Sequence, residues 1–251
     1  MIFLFFRYNM KLKIPKTLKC SPGRKNKEHS CFTDKEIKQI HKILLKHKKF
    51  SGKIPLNLVT QIKDLNVILK DSFRPVSTWS KDGWLSIYDI NNVMKQYDDI
   101  YPNFVFLGTK LSDFYETNDL IHEKLDKNKK YGFIFRLKGE KNNCNEAAHW
   151  VSLLLYKNRI EYFDSVPHIL PNSMIYIIER ISLHWLLLTN QSDIKLKVNT
   201  KRVQHFNGDC GIFAIDYLIK RMSGISMEKY IKTNFTESYI KDLRDFYYNK
   251  N

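Results

Sequence analysis

The chain has 251 residues, of which 43% are hydrophobic and 14% aromatic. This is enough apolar sequence for one sizeable domain with a modest extension, and it excludes a globally disordered protein. The formal net charge is +16, and most of it lies in residues 1–74, which hold 18 Lys and Arg against five Asp and Glu. Such a basic segment attracts anionic partners, nucleic acid above all, although a solvated lysine-rich surface would have the same composition.

Four cysteines are too few for a disulfide-stapled secreted domain, so we expect a reducing compartment. Cys20 and Cys31, together with His29 and His41, have a spacing that fits no usual zinc finger, and we expect free thiols and surface histidines there. The apolar run at residues 1–6 is too short for a signal peptide or a membrane span. The sequence therefore predicts a soluble protein.

Residues 1–32 are polar and basic after the opening apolar run, and we predict a poorly ordered arm in which Met10 is a second possible translation start. Residues 33–75 predict a small helical subdomain. Thr33 and Glu36 have the spacing of a capping box at the start of its first helix. The apolar residues of its second helical pattern are Leu58, Ile62, Leu65, Ile68 and Leu69.

Residues 76–251 mix strand and helix patterns and predict one α+β domain. Asp89 is expected to cap a short helix. Lys157-Asn158-Arg159 separates two β-rich runs and predicts a hairpin. The remaining expected elements are strands at 131–137, 149–156, 160–163 and 194–198, the last one half-buried, and helices at 171–190, 210–222 and 240–248.

Cys210 follows the turn residues Asn207-Gly208-Asp209 and stands at or near the first residue of an apolar helix. A helix N-terminus stabilises a thiolate, which makes Cys210 a candidate nucleophile. Taken alone, the same pattern also fits a small buried residue that starts a core helix. Cys144 is the rival nucleophile, but it lies in a polar loop with no helix behind it.

His149 begins one strand of the predicted hairpin and Asp164 ends the other. In an antiparallel pair these positions meet at one edge of the sheet, where the carboxylate could orient the imidazole. Together with Cys210 they would form a base-activated nucleophile. Singly, each residue also fits a strand-end position without a catalytic role.

An oxyanion intermediate needs preset hydrogen-bond donors. The backbone N–H of Cys210 is one candidate, and the side-chain amide of Gln204 or Asn207 could supply the other. Residue chemistry alone leaves that choice open. We expect His205, beside Gln204, to be a structural or groove residue.

These motifs occur in the order His149-Trp150, Tyr162-Phe163-Asp164-Ser165, and Gln204 six residues before Cys210. They resemble the active-site order of the Ulp1-like and adenoviral-type cysteine proteases over roughly residues 79–220. The resemblance implies an α+β fold with a central mixed or antiparallel sheet flanked by helices. It also implies Gln204 rather than Asn207 as the oxyanion donor, and no cofactor.

Trp84-Leu85 resembles the Trp-Leu-Asn-Asp stretch of the deSUMOylating members, except that Ser86 and Ile87 replace Asn and Asp. In that family this tryptophan and the one after the histidine flank a narrow groove. Carried over to Trp84 and Trp150, the resemblance predicts cleavage after glycine, at sites such as Gly-Gly-X. The distance of 15 residues from His149 to Asp164 suggests a shortened hairpin turn.

A finer resemblance, carried by Cys31-Phe-Thr33, Phe73-Arg-Pro75 and Trp84-Leu-Ser86, is to the processing peptidases of large cytoplasmic DNA viruses. It implies a thiol protease that processes structural precursor proteins during virion maturation, located in the virion and the host cytoplasm. Two alternatives remain. One is an isopeptidase that removes a SUMO- or ubiquitin-like modifier; the other is a non-enzymatic virion protein that binds nucleic acid through basic residues 7–74.

Overall fold

A computed structural model gives the arrangement of most of the chain. The chain divides into two compact units, Met1–Ser77 with Asp245–Asn251, and Thr78–Arg244. The sequence predicted a boundary between residues 75 and 76. The residues that the structure describes are 2–5, 11–14, 19–24, 31–46, 53–55, 62–77, 84–112, 125–137, 149–205 and 208–249.

Among its described residues up to Ser77, the first unit has two helices and a small sheet of strand order β1-β2-β3. The elements are β1 Ile2–Phe5, β2 Lys11–Ile14, α1 Asp34–Lys46, β3 Lys53–Pro55 and α2 Lys63–Ser72. Strands β1 and β2 pair antiparallel inside the segment expected to be a poorly ordered arm. That expectation overlooked the β-forming content of their sequences, IFLF and KLKI. Leu58, the first residue of the second helical pattern, lies outside the described residues.

Helix α1 begins with the capping box that its sequence predicts. The Thr33 N–H donates to Glu36 Oε2 at 2.8 Å, and the Glu36 N–H donates to Thr33 Oγ1 at 3.3 Å. Two of the N–H groups that a helix start leaves unpaired are thereby satisfied. This prediction is confirmed.

Cys20 and Cys31 form a disulfide, so the expectation of free thiols at these positions is wrong. Cys20 makes an antiparallel bridge with Phe73, and the Ser21 N–H donates to the Ser72 carbonyl at 2.9 Å. These contacts with the end of α2 accompany a Cα–Cα distance of 5.0 Å between the cysteines, within disulfide reach. Sequence spacing could not show this proximity because it depends on pairing between segments about fifty residues apart.

The second unit is built on a five-stranded mixed sheet of order β4-β5-β6-β7-β8. Its strands are β4 Phe104–Leu111, β5 Lys130–Leu137, β6 His149–Tyr156, β7 Arg159–Asp164 and β8 Lys195–Val198. The three central strands are antiparallel, and each edge strand runs parallel to its neighbour. Strand β4 was not predicted, and β8 is more exposed than the half-buried strand that we expected.

Helices cover both faces of this sheet. They are α3 Ile87–Lys95, α4 Asn172–Thr189, α5 Cys210–Met222 and α6 Met227–Ile231, and α7 Glu237–Tyr247 follows across the boundary of the units. Helix α4 packs its buried side on one face through Met174, Ile177 and Trp185. Helix α5 packs on the other face, against β6 and β7. The predicted α+β fold with a mixed sheet flanked by helices is confirmed.

Helix α3 starts differently from the prediction. Its N-cap is Ser86 rather than Asp89, and Asp89 is the third residue of a complete capping box. The Asp89 N–H donates to Ser86 Oγ at 3.2 Å, and the Ser86 N–H donates to Asp89 Oδ2 at 2.9 Å. Serine is as good a cap as aspartate, and the acidic residue three positions later decides the register.

Among the described residues no helix is both long and apolar enough to cross a membrane.

Candidate active site

The hairpin of β6 and β7 sets the distance between His149 and Asp164. Tyr156 pairs with Arg159, so the turn has only two residues, and Lys157 takes a positive φ of 51°. The short turn that the spacing suggested is confirmed. The ladder pairs Val151 with Asp164, which brings the end of β7 beside the start of β6.

His149 lies between an acid and a thiol. Its Nε2 is 2.5 Å from Asp164 Oδ1, and its side chain also hydrogen-bonds to Cys210. The same Asp164 oxygen accepts the Val166 N–H at 2.8 Å. Since Asp164 is buried and held from two sides, it can fix the imidazole in one orientation.

The electrostatics of this group favour a charged histidine. Burial lowers the pKa of His149, but the hydrogen bonds with Asp164 and Cys210 and the charges of both groups raise it to about 10. The imidazole is therefore protonated at neutral pH. An imidazolium beside a sulfur is the arrangement that activates a cysteine as a nucleophile.

Cys210 is the first residue of α5 and is 1% exposed. The N-cap residue Asp209 does not cap the helix with its side chain. The Asp209 side chain therefore does not occupy the N–H groups in the first turn of α5, the turn to which Cys210 belongs. This is the placement at a helix start that the sequence predicted for Cys210.

Arg244 holds the turn before Cys210. Its Nε and Nη2 donate to Asp209 Oδ1 at 2.8 and 2.6 Å, and Nη2 also donates to the Gly208 carbonyl at 3.0 Å. Gly208 has a φ of +83°, a conformation that favours glycine. Sequence reasoning missed Arg244, because it lies 34 residues from Cys210 and no motif marks it.

Asn199 is a second residue that sequence reasoning missed. It is buried immediately after β8, and its Oδ1 accepts the Asp164 N–H at 2.8 Å. Its Nδ2 donates to the Asp164 carbonyl at 2.7 Å and to the Lys201 carbonyl at 3.2 Å. The Asn199 amide thus replaces a strand partner at the point where β7 ends.

Gln204 lies beside Ser165, one residue after the acid. Ser165 Oγ donates to Gln204 Oε1 at 2.7 Å, and the Gln204 N–H donates to the Ser165 carbonyl at 2.9 Å. The rival amide Asn207 and the rival thiol Cys144 lie outside the described residues. His205, the residue after Gln204, is exposed to solvent.

Trp150 contacts the residue that follows Trp84. The Trp150 indole is buried and its Nε1 donates to the Leu85 carbonyl at 3.1 Å. Trp84, the residue before Leu85, is 44% exposed. A Cβ on Gly211 would lie 2.9 Å from Leu85 Cδ1, so Leu85 packs on the glycine after Cys210. The segment carrying Trp84 is therefore fastened to the neighbours of both His149 and Cys210.

A mixed sheet with histidine and aspartate at adjoining strand ends, and a cysteine at the start of the helix packed on it, is the arrangement of the Ulp1-like protease fold. Solved structures share this fold. The African swine fever virus pS273R protease superposes with a TM-score of 0.69 at 19% identity, covering 94% of this chain and 97% of its own. The Ulp1 protease domain in complex with Smt3, the yeast SUMO orthologue, gives 0.50 at 20% identity, covering 67% and 76%.

The sequence comparison leads to the same class of enzyme. "Putative thiol protease R355" of Acanthamoeba polyphaga mimivirus is 27% identical over 212 residues, covering 82% of this chain and 68% of that protein. "Cysteine protease S273R" of African swine fever virus is 23% identical over 202 residues, covering 72% and 73%. No protein-family model matches the sequence. These two relatives are thus a putative thiol protease and a cysteine protease of large DNA viruses, and this chain is similar to both.

Proposed function

We propose that this chain is a viral endopeptidase that hydrolyses the peptide bond after a glycine, at Gly-Gly-X-like sites in structural precursor proteins. The observation that carries the chemistry is the double contact of His149, with the Asp164 carboxylate on one side and the Cys210 thiol on the other. Raised to a pKa of about 10, His149 holds the proton before substrate binds.

In the proposed reaction the Cys210 sulfur attacks the glycine carbonyl carbon, and the carbonyl electron pair moves to the oxygen. The Cys210 N–H and the Gln204 side chain stabilise this oxyanion. His149 then gives its proton to the leaving amine as the C–N bond breaks, which leaves a thioester. His149 then removes a proton from water, whose oxygen attacks the thioester carbonyl carbon; the C–S bond breaks, the carboxylic acid is released, and Cys210 and the protonated His149 return to their starting state. Asp164 keeps the imidazole oriented throughout.

Preference for glycine is proposed to come from Trp84. This indole remains partly exposed, while Trp150 is buried below the same segment and holds it through the Leu85 carbonyl. Trp84 is linked to Cys210 through its neighbour Leu85, which packs on Gly211, and a broad aromatic side chain at this position would leave room for a backbone without side chains. Branched or long residues before the scissile bond would collide with it.

A panel of fluorogenic peptides tests the proposal. Gly-Gly-X peptides should be cleaved, and replacing the second glycine with valine should reduce kcat/KM by at least about 100-fold. Cys210→Ala and His149→Ala should each abolish cleavage, whereas His184→Ala, a change on α4 away from this cluster, should leave it unchanged. Full activity of Cys210→Ala would overturn the assignment of the nucleophile.

The second candidate is an isopeptidase, favoured by the fold shared with the Ulp1 domain that was solved with Smt3. The bond chemistry is the same, so the two hypotheses differ only in substrate surface. Matched substrates separate them: a ubiquitin-like modifier fused through its Gly-Gly end, and a short peptide with the same site. Endopeptidase specificity predicts kcat/KM values within about tenfold of each other, and a deconjugase strongly prefers the folded modifier.

We further propose that the basic residues 7–74 bind nucleic acid and that the enzyme acts in the virion and the host cytoplasm. The charge of this region supports the first point, since residues 1–74 carry 18 of the chain's 42 basic residues and only five acidic ones. Phosphate contacts predict an affinity for DNA that falls steeply with salt. The contrary non-enzymatic hypothesis predicts DNA binding without labelling of Cys210 by a Gly-Gly electrophilic probe.

A further inference from the structure

The consecutive residues Asp164 and Ser165, at the end of β7, contact two different groups of the candidate site. Asp164 holds His149, and Ser165 holds Gln204. We infer that Ser165 is a positioning residue that sets the orientation of the Gln204 carboxamide, so that its NH2 group and not its oxygen is presented to the oxyanion. This inference rests on the oxyanion role proposed for Gln204.

Three hydrogen bonds join Ser165 to the segment that carries the glutamine. The Ser165 carbonyl accepts the N–H of Val203 at 3.0 Å and of Gln204 at 2.9 Å, and Ser165 Oγ donates to Gln204 Oε1 at 2.7 Å. Ser165 is 1% exposed and Gln204 is 6% exposed. Both the backbone and the side chain of Gln204 are therefore fixed by one buried residue.

The direction of the side-chain bond is what matters for chemistry. A carboxamide carries an acceptor oxygen and a donor NH2 group on the same carbon, and only the donor stabilises a developing negative charge. Since Ser165 donates to Oε1, the oxygen is directed to the serine and the nitrogen away from it. A reversed carboxamide would turn its oxygen toward the oxyanion and would lose the bond in which Ser165 Oγ donates to Gln204 Oε1.

Asp164 and Ser165 then connect the two halves of the mechanism. The acid side chain orients the base that transfers the proton, and the next residue orients the group that receives the charge. The Asn199 side chain hydrogen-bonds to the main chain of Asp164, the residue immediately before Ser165.

The test compares Ser165→Ala with Ser152→Ala. Ser152 is also fully buried and donates one hydrogen bond, to the Ala214 carbonyl at 2.9 Å, so its variant matches the loss of a buried hydroxyl. Ser165→Ala should lower kcat by about 10- to 100-fold with little change in KM, a smaller loss than the roughly 100- to 1000-fold known for removing an oxyanion donor itself. Ser165→Thr, which keeps the hydroxyl, should recover most of the rate, and Ser152→Ala should stay near wild type.

Two probes separate orientation from general damage. A peptide aldehyde forms a hemithioacetal whose oxygen occupies the oxyanion position, so its Ki should rise with the fall in kcat. Iodoacetamide alkylates Cys210 by displacement at a saturated carbon and generates no oxyanion, so its rate should stay within about twofold. The double variant Ser165→Ala/Gln204→Ala should be no slower than Gln204→Ala alone.

The possible failures are distinguishable. If Ser165→Ala cleaves at the wild-type rate while Gln204→Ala is impaired, or if the two losses multiply, the inference is overturned and the protease assignment stands. If Gln204→Ala is itself unimpaired, both the oxyanion role of Gln204 and this inference fall. Activity that survives Cys210→Ala overturns the proposed function instead.

Discussion

The side-chain amide of Asn199 pairs with both main-chain polar groups of Asp164, at 2.8 Å to the N–H and 2.7 Å from Nδ2 to the carbonyl. Strand β8 ends at Val198, one residue before Asn199, and its last ladder pair is Tyr162 with Val198. The ladder between β7 and β8 therefore stops before it reaches Asp164. The asparagine extends the ladder by one pair with a side chain. The acid that orients His149 is thereby held at its backbone, independently of its own carboxylate contacts.

We expect Asn199→Ala to lower both stability and activity. The change leaves a buried N–H and a buried carbonyl of Asp164 without these bonds, at a cost of about 1–3 kcal/mol for each group left unsatisfied. A looser Asp164 should reduce kcat by about tenfold or more. Urea unfolding and peptide cleavage measure the two effects.

Asn91 supplies the matched control, because its Oδ1 accepts the Thr109 N–H at 3.1 Å between α3 and β4. Asn91→Ala should lose comparable stability and keep its kcat. Equal losses of kcat in the two variants would mean that Asn199 acts only through general stability.

A second prediction concerns the charge of His149. Burial lowers the pKa of His149, but its contacts with Asp164 and Cys210 outweigh burial and raise the pKa to about 10. Removing the charge of Asp164 in Asp164→Asn should lower this pKa, and Cys210→Ser should lower it as well. Imidazole NMR signals followed from pH 5 to 11 give the pKa directly; a titration near 6.5 in wild type would contradict the ion-pair arrangement.

The same shift makes stability depend on pH. The folded-state pKa of His149 lies above the value of about 6.5 in an unfolded chain, so protonation favours the folded state. The contribution is complete below about pH 6.5 and is lost as the pH rises through about 10. Unfolding free energy should therefore fall toward alkaline pH in wild type, and this slope should be smaller in His149→Gln.

A third prediction concerns the buried carboxylate of Glu161. Its Oε2 accepts from Arg221 Nε at 2.6 Å and from the Tyr217 hydroxyl at 2.7 Å, and Oε1 accepts from the Tyr156 hydroxyl at 2.9 Å. Burial raises the pKa of Glu161, but the hydrogen bonds from Arg221 and Tyr217 outweigh it and lower the pKa overall. Because Glu161 is in β7 and Arg221 in α5, this network fastens the strand that ends at Asp164 to the helix that begins at Cys210.

Glu161→Gln removes the negative charge of a buried carboxylate that pairs with the partly buried Arg221, and it should cost up to about 3–5 kcal/mol in unfolding free energy. The exposed Glu179 on α4 is the control, and Glu179→Gln should change stability by less than about 0.5 kcal/mol. Since the pKa of Glu161 is depressed, its contribution is present above the unfolded value of about 4.3 and is lost as the pH falls through the folded value. A wild-type-like urea midpoint for Glu161→Gln would contradict this account.

The sequence predicted what local patterns determine. Helix α5 begins at Cys210 as predicted, because turn residues before it and an uninterrupted apolar run after it leave little choice. The β6–β7 hairpin followed from two β-rich runs around a short polar turn. These two elements bring His149, Asp164 and Cys210 together, which is why local sequence patterns were enough to propose these three candidate site residues.

What the sequence did not predict depends on contacts between distant segments. Arg244, Asn199 and Ser165 act through hydrogen bonds to residues 35 to 39 positions away. No periodicity records such a contact, and their residue types are common on protein surfaces. The Cys20–Cys31 disulfide was missed for the same reason, since its geometry depends on the pairing of Cys20 with Phe73.

The disulfide gives the last prediction. It closes a loop of 11 residues immediately before the capping box of α1, in the unit that does not contain Cys210. Closing a loop of this length lowers the entropy of the unfolded chain and should contribute about 3 kcal/mol. Cys20→Ser/Cys31→Ser should therefore increase hydrogen exchange in residues 31–46 and 62–77, and the β6–β7 hairpin should exchange as in wild type. Alkylation under denaturing conditions without reductant should modify Cys210 and leave Cys20 and Cys31 unmodified; modification of both would show that the bond is absent in the isolated protein.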